Sequence, residues 1–345
     1  MATLYLRKPL LLIRPLALGL GLIIATAVSA DTGNQTKQET GTTIATERQP
    51  TDHIHFLIPG GAGGGWDRTA RGVGQALIQS NLIQSASFEN MSGGGGARGI
   101  AHTIELKNPN LWLINSTPIV VRSLQKIFPQ SFRDLAPIAS VIGDYSVIAV
   151  PHNSTFNSLA DLLAAQQKQP RKIAFAGGSV AGGTDHIVAA MVVKGFGGDP
   201  RATKYIPYDA GGKAMAGLLS GEVNALSSGF GEVADLARQG WVRILCITAR
   251  QRLAGAPQIP TCAEAGAEQA VFVNWRGFFA TPNLPPTMQR QYQDLLAALY
   301  EAESWQKIRD RNGWVDLFNP GRAFSEMLLE QERTVGNLMR ELGLL

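Results

Sequence analysis

Short apolar runs alternate along this chain with longer stretches in which apolar residues recur every three or four positions, starting near residue 53. The short runs are typical of buried strands, and the wider spacing is typical of amphipathic helices. Because strands and helices alternate, the pattern predicts an α/β fold with mostly parallel sheets and helices on both faces. The predicted strand-to-helix units are HIHFLIP (53–59) before a helix near 66–79, SFENM (87–91) before one ending near Leu106, KIAFA (172–176) before one starting at Asp185, TKYIPY (203–208) before KAMAGLLSG, and VNALSSG (223–229) before FGEVADLARQG.

Glycine and other small residues fill the loops between these strands and helices, as in GGAGGG (60–65), SGGGGARG (92–99), GGSVAGGT (177–184) and DAGG (209–212). Ligands of parallel α/β sheets lie beyond the carboxyl ends of the strands, where helix N-termini present free N–H groups. Glycine lets an anion approach those groups closely. The loops therefore predict an anionic ligand. They fall into one group before residue 100 and one after residue 176, as expected for a cleft between two domains.

The first fifty residues differ from the rest of the chain. Residues 1–30 hold Arg7, Lys8 and Arg14, then an apolar run, and end in Val-Ser-Ala, which predicts a cleaved secretory signal peptide; an uncleaved membrane anchor is the alternative. Residues 31–52 are polar and lack aromatic residues, which predicts a disordered tether. These features predict a periplasmic protein.

Charge and cysteine content narrow the function further. Without residues 1–30 the chain keeps 28 of its 31 basic residues and all 27 acidic ones, so its net charge is about +1, and its scattered basic residues argue against a nucleic-acid partner. Cys246 and Cys262 leave a disulfide and buried free thiols both open. His53 and His55 alternate on one strand but lack a third metal ligand nearby, so we expect neither a metal nor a cofactor.

Two enzyme readings of the glycine loops fit poorly. The first loop lacks the GK[ST] ending of a P-loop, and Trp66 stands where a dinucleotide fingerprint needs its third glycine, although Glu89 is placed about where a ribose-binding acid would be. GGSVAG (177–182) resembles a nucleophile elbow around Ser179. A hydrolase of that kind needs an acid and then a histidine later in the chain, but His186 is the last histidine.

The motifs together resemble one family, the periplasmic substrate-binding subunits of tripartite tricarboxylate transporters, also called Bug-type receptors. The resemblance spans about residues 53–343, and GGGWD and NWRGF favour its citrate-type branch. It is carried by PGGAGGGWDRTAR (59–71), ENMSGGGGARG (89–99), IGDYSVIAV (142–150), IAFAGGSVAGGTDH (173–186), YIPYDAGGKAMAGLLSGEV (205–223) and NWRGFFATPNLPP (274–286). SSGFGE (227–232), the long tether and the cysteine pair depart from the family pattern.

This resemblance implies a type II periplasmic-binding-protein fold, in which two α/β lobes close over a carboxylate. Residues 53–146 with 274–345 would form the first lobe, and residues 147–273 the second. It also implies a monomeric, non-catalytic receptor that captures a di- or tricarboxylate such as citrate and delivers it to an integral-membrane permease of one large and one small subunit. A sensor that reports to a two-component kinase would have the same fold, and the sequence does not separate the two roles.

The resemblance also implies which residues bind the ligand. First-lobe contacts are expected at Gly61, Ala62, Gly63, Gly64, Trp66, Asp67, Ser92, Gly93 and Gly94. Second-lobe contacts are expected at Ser179, Gly183, Thr184 and Asp209, with Phe230 and Trp275 as walls.

Three charged residues in this set need a physical account. Asp67 falls in the first turn of its helix, where a negative charge is favourable. Asp209 is a candidate for holding water or a ligand hydroxyl, which would discriminate hydroxylated carboxylates from plain ones. Arg276 either contacts a distal carboxylate of the ligand or braces the hinge.

Overall fold

The structure is a computed structural model that describes residues 52–345. The predicted signal peptide and nearly all of the predicted tether lie outside the described residues. Strands occupy β1 (His53–Ile58), β2 (Ser85–Asn90), β3 (Leu111–Ser116), β4 (Ala136–Pro151), β5 (Ala174–Gly177), β6 (Lys204–Pro207), β7 (Ala225–Gly229), β8 (Val242–Ile247), β9 (Val273–Ala280) and β10 (Asn319–Pro320). Helices occupy α1 (Gly65–Gln79), α2 (Ala97–Leu106), α3 (Thr117–Gln125), α4 (Leu159–Lys168), α5 (Thr184–Gly195), α6 (Gly211–Leu219), α7 (Phe230–Arg238), α8 (Pro286–Tyr300), α9 (Glu303–Asn312) and α10 (Arg322–Glu341).

The strands form one curled sheet with the order β2-β1-β3-β9-β4-β7-β5-β6, and β8 and β10 also pair with β4. Pairing is parallel within the β2-β1-β3 group and within the β7-β5-β6 group. The predicted α/β class with mostly parallel strand groups is therefore confirmed, and each predicted strand-to-helix unit is present.

Two long strands join the halves of the sheet. Residues 136–145 of β4 pair with β9, and residues 146–151 continue into pairs with β7 and β8. We call the part built on β1, β2, β3 and β9 the first half, and the part built on β5, β6, β7 and β8 the second half. The chain crosses between the halves through β4 and β9.

One apolar core spans both halves, from Leu113 of β3 to Phe175 of β5, and each half has a further core of its own. In the first half, Phe56, Trp112, Phe278 and Tyr292 form a fully buried aromatic cluster with ring centroids 5.1–5.8 Å apart. Such contacts stabilise the fold beyond the burial of area alone.

Cys246 and Cys262 form a disulfide that ties β8 to the loop after it, which decides between the two states that the sequence left open. Within residues 52–345, no helix is both long enough and apolar enough to cross a bilayer.

Candidate functional site

A cavity of about 330 Å³ lies between the two halves, at the carboxyl ends of the parallel strands. It is lined by segments 59–61, 64–66, 93–95, 178–180, 183–185 and 207–211, and by Ser116, Pro118, Val121, Arg122, Glu232, Asn274 and Arg276. Four of the predicted glycine loops therefore meet at one cavity, and the fifth strand-to-helix junction contributes Glu232.

Four helices begin at this cavity, and none is capped by a side chain of its N-cap residue. The N-cap residues are Gly64 for α1, Ser116 for α3, Gly183 for α5 and Ala210 for α6. By contrast, α4 begins away from the cavity and has a capping box between Ser158 and Asp161. Because the first N–H groups of a helix have no partner within the helix, these N-termini offer donors and partial positive charge to an anion in the cavity.

The first loop is shaped by Asp67 and Trp66. Asp67 accepts hydrogen bonds from Gly63 N at 3.0 Å and Arg71 Nε at 2.8 Å, so its carboxylate is held by its own loop and helix. Trp66 donates from Nε1 to Ser116 Oγ at 2.9 Å and forms part of the cavity wall. The tryptophan thereby fixes the first loop against the end of β3.

The second loop needs glycine for conformational reasons. Gly93, Gly94, Gly95 and Gly96 have φ angles of 145°, 60°, 64° and 101°, which other residues rarely adopt. A Cβ atom on Gly95 would also lie 2.7 Å from Arg122 Nε. The loop therefore brings bare backbone against a buried guanidinium.

In the third loop, Ser179 and Asp185 hold each other. Ser179 N donates to Asp185 Oδ2 at 3.0 Å, and Asp185 N donates to Ser179 Oγ at 2.9 Å. Tyr205 donates its hydroxyl proton to Ser179 O at 2.7 Å. Burial, and next the charge of Glu232, raise the pKa of Asp185 to about 7. Asp185 is thus a cavity-lining acid that titrates near neutral pH.

His186 does not complete a catalytic arrangement with these residues. Its Nδ1 accepts from Gly182 N at 2.9 Å, and its ring stacks on Tyr205 with centroids 4.7 Å apart. The other candidate histidines lie on β1, where His53 and His55 contact Ser85, Ser87 and Glu89 of β2. Among residues 52–345, no group of three metal-binding side chains occurs.

The loop before α6 reaches across to the first half. A Cβ atom on Gly61 would lie 2.5 Å from Asp209 O, and one on Gly64 would lie 3.3 Å from Ala210 Cβ. The side chain of Asp209 is 53% exposed and lies 3.5 Å from Lys213 Nζ, at the cavity mouth. The two halves are therefore in contact around the cavity, which is the arrangement of a closed cleft.

A buried group of charges forms the rear of the cavity. Arg276 contacts Asp144 Oδ2 at 2.8 Å and Glu232 Oε1 at 3.7 Å, and Ser228 donates to Glu232 Oε2 at 3.1 Å. Burial raises the pKa of both Asp144 and Glu232, whereas the charge of Arg276 opposes that rise. At the rear wall, Glu232 is therefore accessible to a ligand in the cavity, and the neighbouring Arg276 is already paired with Asp144.

The predicted contacts divide into two groups. Those that line the cavity are Gly61, Gly64, Trp66, Gly93, Gly94, Ser179, Gly183, Thr184, Asp209 and Arg276. Those outside its lining are Ala62, Gly63, Asp67, Ser92, Phe230 and Trp275. Trp275 is fully buried against Phe279 and Phe324, and Phe230 packs in the second-half core, so neither ring forms a wall.

The sequence analysis did not assign Arg122, Asp185, Glu232 or Asn274 to the ligand site, although all four line the cavity. Asp185 and Glu232 each fall in the first turn of a helix that follows a small-residue loop, a position that was readable in the sequence. Arg122 and Asn274 had no such signal, because one lies inside α3 and the other near the start of β9.

Comparisons with known proteins define the class. The described fold is similar to that of solved periplasmic binding proteins. BugD matches with a TM-score of 0.76 and 20% identity, over 85% of this chain and 98% of BugD. MatC from Rhodopseudomonas palustris, solved with bound malate, matches with a TM-score of 0.73 and 16% identity, over 83% of this chain and 98% of MatC. A further R. palustris protein, solved with adipate, matches with a TM-score of 0.76 and 18% identity, over 85% of this chain and 98% of its own. The predicted type II periplasmic-binding-protein fold, with two α/β lobes and a cleft between them, is thereby confirmed.

The family follows from sequence comparison. The model of the family described as the tripartite tricarboxylate transporter family receptor matches residues 70–344, so the chain belongs to that family. The UPF0065 protein in the tcbD-tcbE intergenic region of Pseudomonas sp. (strain P51) is 29% identical over 245 residues, which are 68% of this chain and 70% of the relative. The UPF0065 protein in the TAR-I ttuE-ttuC' intergenic region of Agrobacterium vitis is 22% identical over 256 residues, which are 73% and 72% of the two chains.

Proposed function

We propose that this protein is a periplasmic receptor that captures a di- or tricarboxylate of the citrate type by closing two lobes over it. The observation that carries the proposal is the convergence of four helix N-termini that lack an N-cap side-chain hydrogen bond, those of α1, α3, α5 and α6, on one cavity between the halves. A carboxylate at this point would receive backbone N–H donors from both lobes. The receptor then releases the ligand to a membrane permease, and no chemical step is assigned to it.

Backbone donors are sufficient for useful affinity. Hydrogen bonds to a charged group are worth roughly 1.5–3 kcal/mol each, so several of them, reduced by desolvation and closure entropy, give about micromolar binding. Thr184 Oγ1 and Asn274 Oδ1 are buried polar atoms of the cavity lining that lack a partner within residues 52–345. Buried polar groups normally have partners, so these two atoms are further candidates for contact with the ligand.

The size of the cavity favours a small ligand. Its volume of about 330 Å³ is near the lower end of ligand pockets, which range over about 300–1,000 Å³. MatC was solved with malate, and another structural neighbour was solved with adipate. We therefore assign a di- or tricarboxylate of about four to six carbons, and citrate, malate and adipate are the first compounds to test.

The proposed lobes are residues 53–146 with 274–345 and residues 147–273, which places their boundaries within β4 and at the start of β9. Closure brings loop 60–65 of one lobe against Asp209 and Ala210 of the other. The proposed ligand contacts from the first lobe are Gly61, Gly64, Trp66, Gly93 and Gly94, and those from the second lobe are Ser179, Gly183, Thr184 and Asp209. Asp209, at the mouth of the cavity, would accept a hydrogen bond from a hydroxyl group of the ligand.

A thermal-shift and calorimetry panel tests the proposal. The full chain is expressed, the secreted protein is purified as a monomer, and citrate, malate, adipate and NAD are titrated separately. Binding of a carboxylate without turnover, and no binding of NAD, is the expected result. Binding of NAD alone, or conversion of a carboxylate, would instead indicate that the protein is an enzyme.

A second experiment tests the role of Asp209. Asp209→Asn is titrated with citrate and its deoxy analogue, and an equal loss of affinity for both would reject a contact between Asp209 and the ligand hydroxyl.

A further inference from the structure

Arg122 is a buried arginine in the cavity wall without an acidic partner. It lies in α3, its side chain contributes to the cavity lining, and the residue is 6% exposed. Its Nη1 donates to Gln125 Oε1 at 2.9 Å, while Nε has no partner within residues 52–345. Burial lowers the pKa of this guanidinium, but an arginine remains charged at neutral pH.

The other buried arginines of the described chain show what is unusual here. Arg276 pairs with Asp144, and Arg309 pairs with Asp316. No acid lies within ion-pair distance of Arg122 in residues 52–345. Burying an unpaired charge is unfavourable, so proteins normally supply a partner. A missing partner at a cavity wall indicates that the partner is brought by the ligand.

The position of Arg122 is fixed by its neighbours. The guanidinium packs against Gly95, whose positive φ angle and lack of a side chain leave room for it. Pro118, Val121 and Arg122 share one face of α3, as residues three and four apart do, and all three line the cavity. Gln125, which holds Arg122, reaches the second half, where a Cβ atom on Gly182 would lie 2.6 Å from its Nε2.

The charge distribution of the cavity gives this arginine a distinct role. Asp185 and Glu232, from the second half, line the cavity and supply no positive charge to an anionic group of the ligand. Arg276 is already paired with Asp144. Among the described residues, Arg122 is thus the arginine of the lining that has no acid of its own to neutralise it.

We propose that Arg122 forms an ion pair with a second carboxylate of the bound ligand, distinct from the carboxylate at the helix N-termini, and thereby selects polycarboxylates over monocarboxylates. The inference rests on the proposed function and adds a specificity-determining residue to it.

The test compares matched ligands on matched variants by calorimetry. Adipate and hexanoate share six carbons and differ in one carboxylate, and malate and 3-hydroxybutyrate form the equivalent four-carbon pair. Wild-type protein should prefer the diacid of a pair by roughly 10- to 100-fold, the range expected for one charge-assisted contact. Arg122→Gln should abolish this preference by weakening diacid binding while leaving monoacid binding within about two-fold, and Arg122→Lys should restore part of it.

Arg133→Gln is the control, because it removes the same charge at a residue that lies outside the cavity lining and pairs with Glu332 of α10. Equal losses for diacid and monoacid in Arg122→Gln, or no loss for either, would overturn the inference and leave carboxylate binding intact. Failure of wild-type protein to bind any of these probes would reject the proposed function itself. Urea unfolding of ligand-free Arg122→Gln should show no loss of stability, whereas a purely structural arginine would show one.

Discussion

Arg276 Nη2 lies 2.8 Å from Asp144 Oδ2, and both residues are buried on neighbouring strands that cross between the halves of the molecule. The same guanidinium donates from Nη1 to Thr69 Oγ1 of α1 at 3.1 Å, and Asp144 Oδ1 accepts from Gly231 N of α7 at 3.3 Å. One ion pair therefore connects β4, β9, α1 and α7. These contacts support the bracing role among the two that the sequence left open for Arg276.

Breaking this pair on one side should strongly destabilise the protein. We expect Asp144→Asn or Arg276→Gln to lower the free energy of unfolding by about 3–5 kcal/mol, because each leaves a buried charge without its nearest partner. The double variant should lose less than the sum of the two. Urea unfolding measures all three, with Glu332→Gln at the partly exposed pair with Arg133 as a control expected to lose about 1 kcal/mol or less. Strict additivity in the double variant would contradict the account.

The sequence was informative where backbone conformation and periodicity decide the structure. The alternating pattern located α1, β5 and α7 to within about two residues, and the glycines of 60–65 and 92–99 marked loops that do meet at the cavity. Local patterns of this kind depend only on residues that are close together in the sequence, so they can be recognised without knowledge of the fold.

Side-chain roles at the site were harder to predict, because they depend on residues far apart in the chain. Trp275 stands in a motif next to the site, yet strand alternation turns its ring into the core and turns Arg276 toward the cavity. In the sequence, Arg122 resembles an ordinary surface residue of a helix, and only the fold shows that it is buried and packs against Gly95. Glu232 acquires its position only when Gly65 and Gly211 approach from different halves.

Adjacent glycines at the start of α6 should respond oppositely to alanine. A Cβ atom on Gly211 would collide with Glu232 Oε2, whereas one on Gly212 would meet nothing within 4 Å. We expect Gly211→Ala to destabilise the protein by about 1–3 kcal/mol through overpacking. Gly212→Ala should be neutral or stabilise it by up to about 1 kcal/mol, since alanine favours the helix.

Thermal and urea unfolding of the two glycine variants provide the measurement. Truncating Glu232 to alanine removes the colliding atoms, so Gly211→Ala should be less harmful in that background. If the two alanine variants behave alike in wild-type protein, the tight contact between α6 and Glu232 is not present in solution.

Arg68 provides a contact that stabilises the closed arrangement without lining the cavity. It lies on α1 and donates from Nη1 to Gly231 O of α7 at 3.0 Å, and it lies 4.0 Å from Asp235. Arg68→Gln should weaken ligand binding about five-fold, which corresponds to about 1 kcal/mol for a partly exposed contact, because less of the protein is closed.

Calorimetry with whichever of citrate, malate and adipate binds the wild-type protein tests the role of Arg68. Arg238→Gln is the matched control, because Arg238 pairs with the same Asp235 but within its own helix. Small-angle scattering of the ligand-free Arg68→Gln protein should show a larger radius of gyration than wild type. Equal affinities for the two variants would mean that Arg68 does not contribute to closure.

Asp185 should make the stability of the protein depend on pH near neutrality. Its pKa is raised from 3.8 to about 7 in the folded protein, so the folded state holds a proton that the unfolded state releases at lower pH. The groups that face it are Ser179, Tyr205 and Glu232, and the negative charge of Glu232 favours the protonated form. The associated stabilisation is complete below about pH 4 and is lost as pH rises through 7.

Asp185→Asn keeps the acceptor for Ser179 N but cannot ionise. Relative to wild type, its free energy of unfolding should therefore rise between pH 4 and 7.5, by at most about 4 kcal/mol. Urea unfolding of ligand-free protein across this range measures the difference, and Glu232→Gln should reduce the pH dependence of otherwise wild-type protein. A constant difference between Asp185→Asn and wild type over the whole range would show that Asp185 is already ionised at pH 5.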